Sequence, residues 1–222
     1  MSVLSLIFFS GCSSSTLLSD VTRAIYRDQF GSVADVTQTA TLNPAYIYLR
    51  IQAAGGSPAL LVLGYVDSHP QGDIEVWYSA EKEVIKTQNG RIVGTSGLEV
   101  DWRSVRFTTA PPAWDGLTPA SYTLTRVRDE MPGYRYDISD QVTLTRVVGV
   151  PAIALPPSLP LNVAKSYEWF RESQSGAHPD LPDSWYALEK IDGKYRVAYS
   201  YQCLSKRLCL NLQRWPIRKA SS

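Results

Sequence analysis

Glu83-Val84-Ile85-Lys86-Thr87-Gln88-Asn89-Gly90-Arg91-Ile92-Val93-Gly94-Thr95 reads as two β-strands joined by a two-residue turn. Asn-Gly is the dipeptide best able to take the two positive φ angles of a type I′ turn, whose twist matches that of the strands it joins. The same grammar continues on both sides. Upstream, Tyr46 to Ile51 alternates and places Ile47, Leu49 and Ile51 on one face. Ala59 to Val66 is a continuous apolar run that suits a more central strand, and Asp73 to Ser79 follows it. Downstream, strands are predicted over Ser121 to Arg128, Tyr134 to Val148, Lys165 to Glu172, Trp185 to Ile191 and Tyr195 to Cys203, with Asp192-Gly193 turning the last two. Many short strands separated by turn signals favour a mainly β fold, an antiparallel β-sandwich or partly closed β-barrel, over a βαβ arrangement.

Two segments depart from this pattern. Leu17, Leu18, Val21, Ala24 and Ile25 fall at helical spacing with Arg23, Arg27 and Asp28 between them, and Gly31 follows as a stop signal, which predicts a short N-terminal amphipathic helix packed on the domain. Gly149 to Leu161 carries Pro151, Pro156, Pro157 and Pro160, and proline supplies no ladder donor. That segment is a linker to a small C-terminal layer or an edge crossing; a single domain over 17–222, with a sub-boundary near 149–161, is expected.

The N-terminus carries the clearest address. Met1 to Gly11 is uncharged, with an apolar run from Val3 to Phe9, and ends in Phe9-Ser10-Gly11-Cys12. Small residues before a cysteine form a lipobox: residues 1–11 are read as a signal peptide, Cys12 as the acylated residue and 12–16 as a tether through Ser13, Ser14, Ser15 and Thr16. The run lacks a preceding Lys or Arg and is short, both of which a start further upstream would supply. It is too short to span a bilayer as a helix, which takes about 20 apolar residues. Ser13 stands where enteric inner-membrane lipoproteins carry Asp, so the expected location is the periplasmic face of the outer membrane, held by the lipid.

The 222 residues carry 22 Lys plus Arg against 21 Asp plus Glu, which leaves no basic field for nucleic acid. At 44% hydrophobic residues, with 13 Tyr and 6 Trp, the chain is an ordered one rich in β-forming aromatics. Cys203 and Cys209 flank Leu-Ser-Lys-Arg-Leu; in an oxidising compartment a disulfide across a hairpin is expected, since two thiolates without a nearby His do not complete a zinc shell. No metal, cofactor or catalytic residue is predicted. His69 and His178 each precede a proline in a turn, and Asp129-Glu130 and Asp180 with Asp183 read as ordinary charged turns. No nucleophile, base and orienting group assemble, so the chain is expected not to be an enzyme.

The candidate contact residues are Trp77 and Arg91. Trp77 and Tyr78 point to opposite faces of a strand, one into the core and the other outward, and aromatic strand faces serve both cores and sugar-binding surfaces. Arg91 could donate its planar fork to a carboxylate or uronic acid, or pair with an acidic neighbour.

Val76-Trp77-Tyr78-Ser79-Ala80 followed by Asn89-Gly90-Arg91-Ile92-Val93-Gly94-Thr95-Ser96-Gly97-Leu98 resembles the YjbF/GfcB lipoproteins of group 4 capsule and exopolysaccharide operons. Asn43-Pro44-Ala45-Tyr46, Leu63-Gly64 and Pro132-Gly133-Tyr134-Arg135-Tyr136 extend the likeness over roughly Leu17 to Glu172; beyond it, Trp185 to Glu189 and Gly193 to Val197 only approximate the family pattern. The resemblance implies an outer-membrane lipoprotein that assists polysaccharide secretion or assembly by binding glycan or an export-system protein. The alternative is a general periplasmic binding or scaffold lipoprotein unrelated to polysaccharide.

Overall fold

The computed structural model describes residues 36–115, 117, 121–153, 155–176 and 181–217. Its strands are β1 (Tyr48–Ala53), β2 (Ala59–Asp67), β3 (Ile74–Tyr78), β4 (Val84–Gln88), β5 (Arg91–Ser96), β6 (Asp101–Phe107), β7 (Ser121–Met131), β8 (Arg135–Val147), β9 (Glu168–Gly176), β10 (Ser184–Ile191), β11 (Lys194–Cys203) and β12 (Cys209–Trp215). Single helical turns are α1 (Val36–Thr39) and α2 (Leu161–Ala164). The amphipathic helix expected over Leu17 to Asp28 lies outside the described residues.

All twelve strands join one antiparallel sheet in the order β5-β4-β3-β2-β1-β12-β11-β10-β9-β8-β7-β6. Nearly every strand lies between its sequence neighbours, the first strand pairs with the last, and the seam between β5 and β6 carries no ladder. The result is one nearly closed, barrel-like sheet, which replaces the two-sheet sandwich that the turn pattern also allowed. Local pairing explains the order, since short turns join antiparallel neighbours most directly. Register shifts at Leu63/Tyr65, Lys86/Thr87, Trp102/Ser104, Arg128/Glu130 and Ala187/Leu188 help the sheet to curl. The turn at Asn89-Gly90 has φ of 49° and 77°, and Asp192-Gly193 repeats it with 49° and 82°.

A closed sheet of this many strands would enclose a lumen if nothing filled it. Here β5 does so. Ile92 packs with Leu49, Leu61, Trp77, Ile85 and Leu212, while Val93 on the opposite side of the strand packs with Phe107, Leu124 and Val142. The hairpin tip is held by side chains from other strands. Gln202 Oε1 accepts from the Ile92 N–H at 2.9 Å, Gln202 Nε2 donates to the Gly90 carbonyl at 2.8 Å, and Trp114 Nε1 donates to the Asn89 carbonyl at 2.9 Å.

The proline-bearing segment after β8 runs over the outside of β9 to β12. Leu159 and Ala164 pack there with Trp169, Ala187 and Tyr199, and Ser158 Oγ donates to Gln213 Oε1 at 2.8 Å. Those strands are therefore covered on both faces, and β12 is buried over five successive residues from Cys209. At the opposite end of the barrel, Cys203 and Cys209 are joined by a disulfide that closes the β11–β12 hairpin. A ring this short stabilises by about 2 kcal/mol on the chain-entropy account.

Burial has a consequence at high pH. Removal from water raises Tyr186 and Tyr199 well above the ordinary tyrosine range, and the negative charge of Glu172 pushes Tyr186 further the same way. Raised folded-state values favour the neutral phenol: the stabilisation is complete below the unfolded pKa near 10 and is lost as pH rises toward the folded values. In an alkaline absorbance titration, Tyr186 and Tyr199 should ionise only together with unfolding. Uniform ionisation near pH 10 with the near-ultraviolet circular dichroism intact would contradict this packing.

Candidate functional site

The structure places both sequence-predicted contact residues inside. Trp77 is 0% exposed and donates from Nε1 to Thr87 Oγ1 at 2.9 Å. Arg91 is 2% exposed; its Nε donates to Glu172 Oε2 at 3.0 Å and its guanidinium lies over the Trp114 ring at 4.2 Å. Neither side chain meets a ligand at the surface in this arrangement. Of the two readings of Arg91, pairing with an acidic neighbour is the one the geometry shows.

Arg91 begins a buried ionic chain. Glu172 Oε1 also faces Arg126 Nη1 at 3.5 Å; Asp140 Oδ2 accepts from Arg126 Nη2 at 3.1 Å and from Arg128 Nε at 2.8 Å; Arg128 Nη1 reaches Glu130 Oε2 at 2.5 Å. Arg126 and Arg128 lie over the Trp102 ring at 4.8 and 4.9 Å. Nη1 and Nη2 of Arg91 and Nε of Arg126 have no hydrogen-bond partner among the described residues, and ring faces take that place. Three arginines against three carboxylates leave this interior neutral, which suits a structural network. The alternation of β7 and β8 produces it, because Arg126, Arg128 and Glu130 in β7 and Asp140 in β8 occupy inward positions.

The outward aromatic positions form a different feature. Tyr78 is 39% exposed on the face opposite Trp77, and its ring lies 6.3 Å from that of Tyr65. Gly64 makes room for it, since a Cβ there would come within 2.5 Å of the Tyr78 ring. Tyr48, Val62 and Tyr78 lie opposite one another across β1, β2 and β3 and so share the outer face. Tyr46 packs edge-on against Tyr48 at 6.4 Å. Ile47, which alternation places on the same face as Leu49 and Ile51, is 55% exposed, because it precedes β1 and lies beyond the covered part of the barrel.

This tyrosine row runs into a groove of ≈ 280 Å³ at the rim where the first and last strands meet. Its lining includes Tyr46, Tyr48, Tyr167, Arg196, Glu189 and Trp215, and Arg214 also contributes. Arg196 donates from Nε at 3.2 Å and Nη2 at 2.5 Å to Glu189 Oε1; Arg214 Nη2 lies 2.5 Å from both carboxylate oxygens of Glu75. Tyr167 is pushed up to about 12, first by burial and then by the charge of Glu189, so its hydroxyl remains a donor at neutral pH. The chemistry is aromatic faces beside paired donors and acceptors.

Sequence reasoning missed this site because its parts lie at the two ends of the chain. The available signal was Tyr46 and Tyr48, which alternate with the apolar residues of β1. Of the remaining candidates, Cys12, His178 and Asp180 lie outside the described residues. His69 Nδ1 is bonded in its turn with Gln88 Nε2 at 2.9 Å, and Asp183 pairs with Arg171 at 3.2 Å. Glu130 belongs to the buried chain, and Asp129 is held below the usual carboxylate range by the Asp137 N–H and the Ser104 hydroxyl. Among the described residues no group of three or more His, Cys, Asp or Glu could hold a metal ion, and no helix is long and apolar enough to cross a membrane.

Comparison with known proteins gives the shape a context. The hypothetical lipoprotein YmcC from Escherichia coli (K12) has a similar structure, with a TM-score of 0.60 at 18% identity, covering 94% of this chain and 100% of that one. At that identity the likeness speaks for the fold. No curated protein matches. The family model described as group 4 capsule polysaccharide lipoprotein GfcB, YjbF matches residues 19–154, a span that takes in β1 to β8 and the Asn89-Gly90 hairpin. That is more than half of the sequence, and the chain belongs to the YjbF family of group 4 capsule polysaccharide lipoproteins.

Proposed function

We propose that this chain is an outer-membrane lipoprotein, acylated at Cys12 and facing the periplasm, that assists capsule or exopolysaccharide secretion by binding glycan without cleaving it. The observation that carries the reading is the rim groove: Tyr46, Tyr48 and Trp215 stand beside the Arg196–Glu189 pair, continuous with the outward Tyr65–Tyr78 surface. Sugar rings present an apolar C–H face and a hydroxyl edge, and clefts with aromatic walls and a few placed polar groups suit both. The family's description as capsule polysaccharide lipoproteins supports the same reading. Tyr46 and Tyr48 lie within the family match, while Tyr167, Glu189, Arg196 and Trp215 lie beyond it.

Attachment is tested separately. Stable anchoring takes two lipid signals, which a diacylglyceryl thioether with an N-acyl chain supplies. Cys12→Ser should therefore move the protein from the membrane to the soluble fraction, end labelling by radioactive palmitate, and fail to restore surface polysaccharide in a deletion strain. A Cys12→Ser protein that still sediments with membranes, together with an unlabelled wild type, would remove the lipoprotein reading of this chain.

A further inference from the structure

We infer that the rim groove recognises the hydroxyl faces of uncharged sugar residues rather than the charge of a polyanion, an inference that rests on the glycan-binding reading above. Each cation at the groove already has a carboxylate. Glu189 holds Arg196, and Glu75 holds Arg214 by both of its oxygens. Two arginines and two carboxylates sum to no net charge. An incoming uronate or phosphate would meet no unopposed guanidinium, and to form the fork-to-fork geometry arginine prefers it would have to displace a carboxylate already in place.

A hydroxyl has different needs, because it donates one hydrogen bond and accepts others. Arg196 spends Nε and Nη2 on a single oxygen, Glu189 Oε1, which leaves Nη1 without an acceptor and Glu189 Oε2 without a donor among the described residues. A donor and an acceptor held side by side fit one hydroxyl, or two on adjacent ring carbons. Tyr167 adds a donor that stays protonated, and Tyr46, Tyr48 and Trp215 offer ring faces for the C–H side of a pyranose. The space of ≈ 280 Å³ is at the small end for ligand sites, which suits a short stretch of a chain that continues past both ends.

The test is affinity electrophoresis of the detergent-solubilised full chain through gels containing neutral polymers (dextran, galactomannan, xyloglucan) or acidic ones (polygalacturonate, alginate), at low and high salt. The expected result is retardation by at least one neutral polymer that salt does not relieve. Tyr46→Ser, which removes a ring face, and the charge-conserving pair Arg196→Met with Glu189→Met, which removes hydrogen bonds to charged groups, should each weaken it roughly tenfold or more. Retardation by acidic polymers alone, relieved by salt, would overturn the neutral preference and leave glycan binding standing. Neutral retardation unchanged in both groove variants would overturn the site. Retardation by no polymer would overturn the glycan-binding reading itself.

Discussion

Glu172→Ala is expected to lower the unfolding free energy by about 3–5 kcal/mol, the cost of leaving buried charge without its partner. Glu172 is the counter-ion shared by Arg91 from β5 and Arg126 from β7, and its side chain is 3% exposed. With it gone, Arg91, Arg126 and Arg128 face only Asp140 and Glu130, in an interior that water does not reach. A denaturation curve should show a lower urea midpoint with the slope unchanged, the signature of lost stability rather than altered compactness. Removing both charges together is the control: Arg91→Met with Glu172→Leu should recover more than half of the loss, because no uncompensated ion remains at that end of the chain. A Glu172→Ala protein within about 1 kcal/mol of wild type would mean that water or ions reach this interior. The same geometry makes Arg91→Ala a stability variant, so it cannot isolate a binding role.

Gly90→Val should be comparably damaging, for two reasons that a second glycine separates. At φ +77° a branched residue bears the left-handed penalty, about 1–2 kcal/mol. A Cβ at Gly90 would in addition stand 2.5 Å from the Cβ of Val197, and forcing atoms into a packed interior costs about 1–3 kcal/mol more. The total is about 2–5 kcal/mol. Gly193 occupies the same turn position at φ +82°, with nothing within 4 Å of its missing Cβ. Gly193→Val should therefore show the backbone part alone. Equal urea midpoints for the two variants would contradict the placement of the β4–β5 tip against β11.

The contrast between these glycines also marks how far the sequence could be read. Asn89-Gly90 and Asp192-Gly193 announce their turns because their backbone needs are local, and most strands around them follow from alternation. What the sequence hides is where a turn ends up: Gly90 sits against Val197, more than a hundred residues away, and nothing near Asn89 encodes that. β6 escapes detection because the register shift between Trp102 and Ser104 breaks its alternation. β12 escapes because it is covered on both sides, so its polar Asn211 and Gln213 are inside, bonded to Tyr199 and Ser158. Arg126, Arg128, Asp140 and Glu172 are charges at inward positions, where hydropathy reasoning looks for apolar residues. Trp77 and Tyr78 lie on opposite faces, as strand alternation predicts; only the structure shows that Tyr78 is the one outside.

The groove is the least legible part, since β1 and β12 meet only when the sheet curls round. Its role is most directly tested in cells, by returning the chain to a strain deleted for its gene with Tyr46→Ser and Arg196→Ser combined. Both side chains are at least a third exposed, so the fold should survive, and immunoblots of membrane fractions can establish equal abundance and anchoring. Under those conditions surface polysaccharide is expected at the level of the deletion strain. Surface polysaccharide at the wild-type level, from an equally abundant and equally membrane-bound variant, would contradict it.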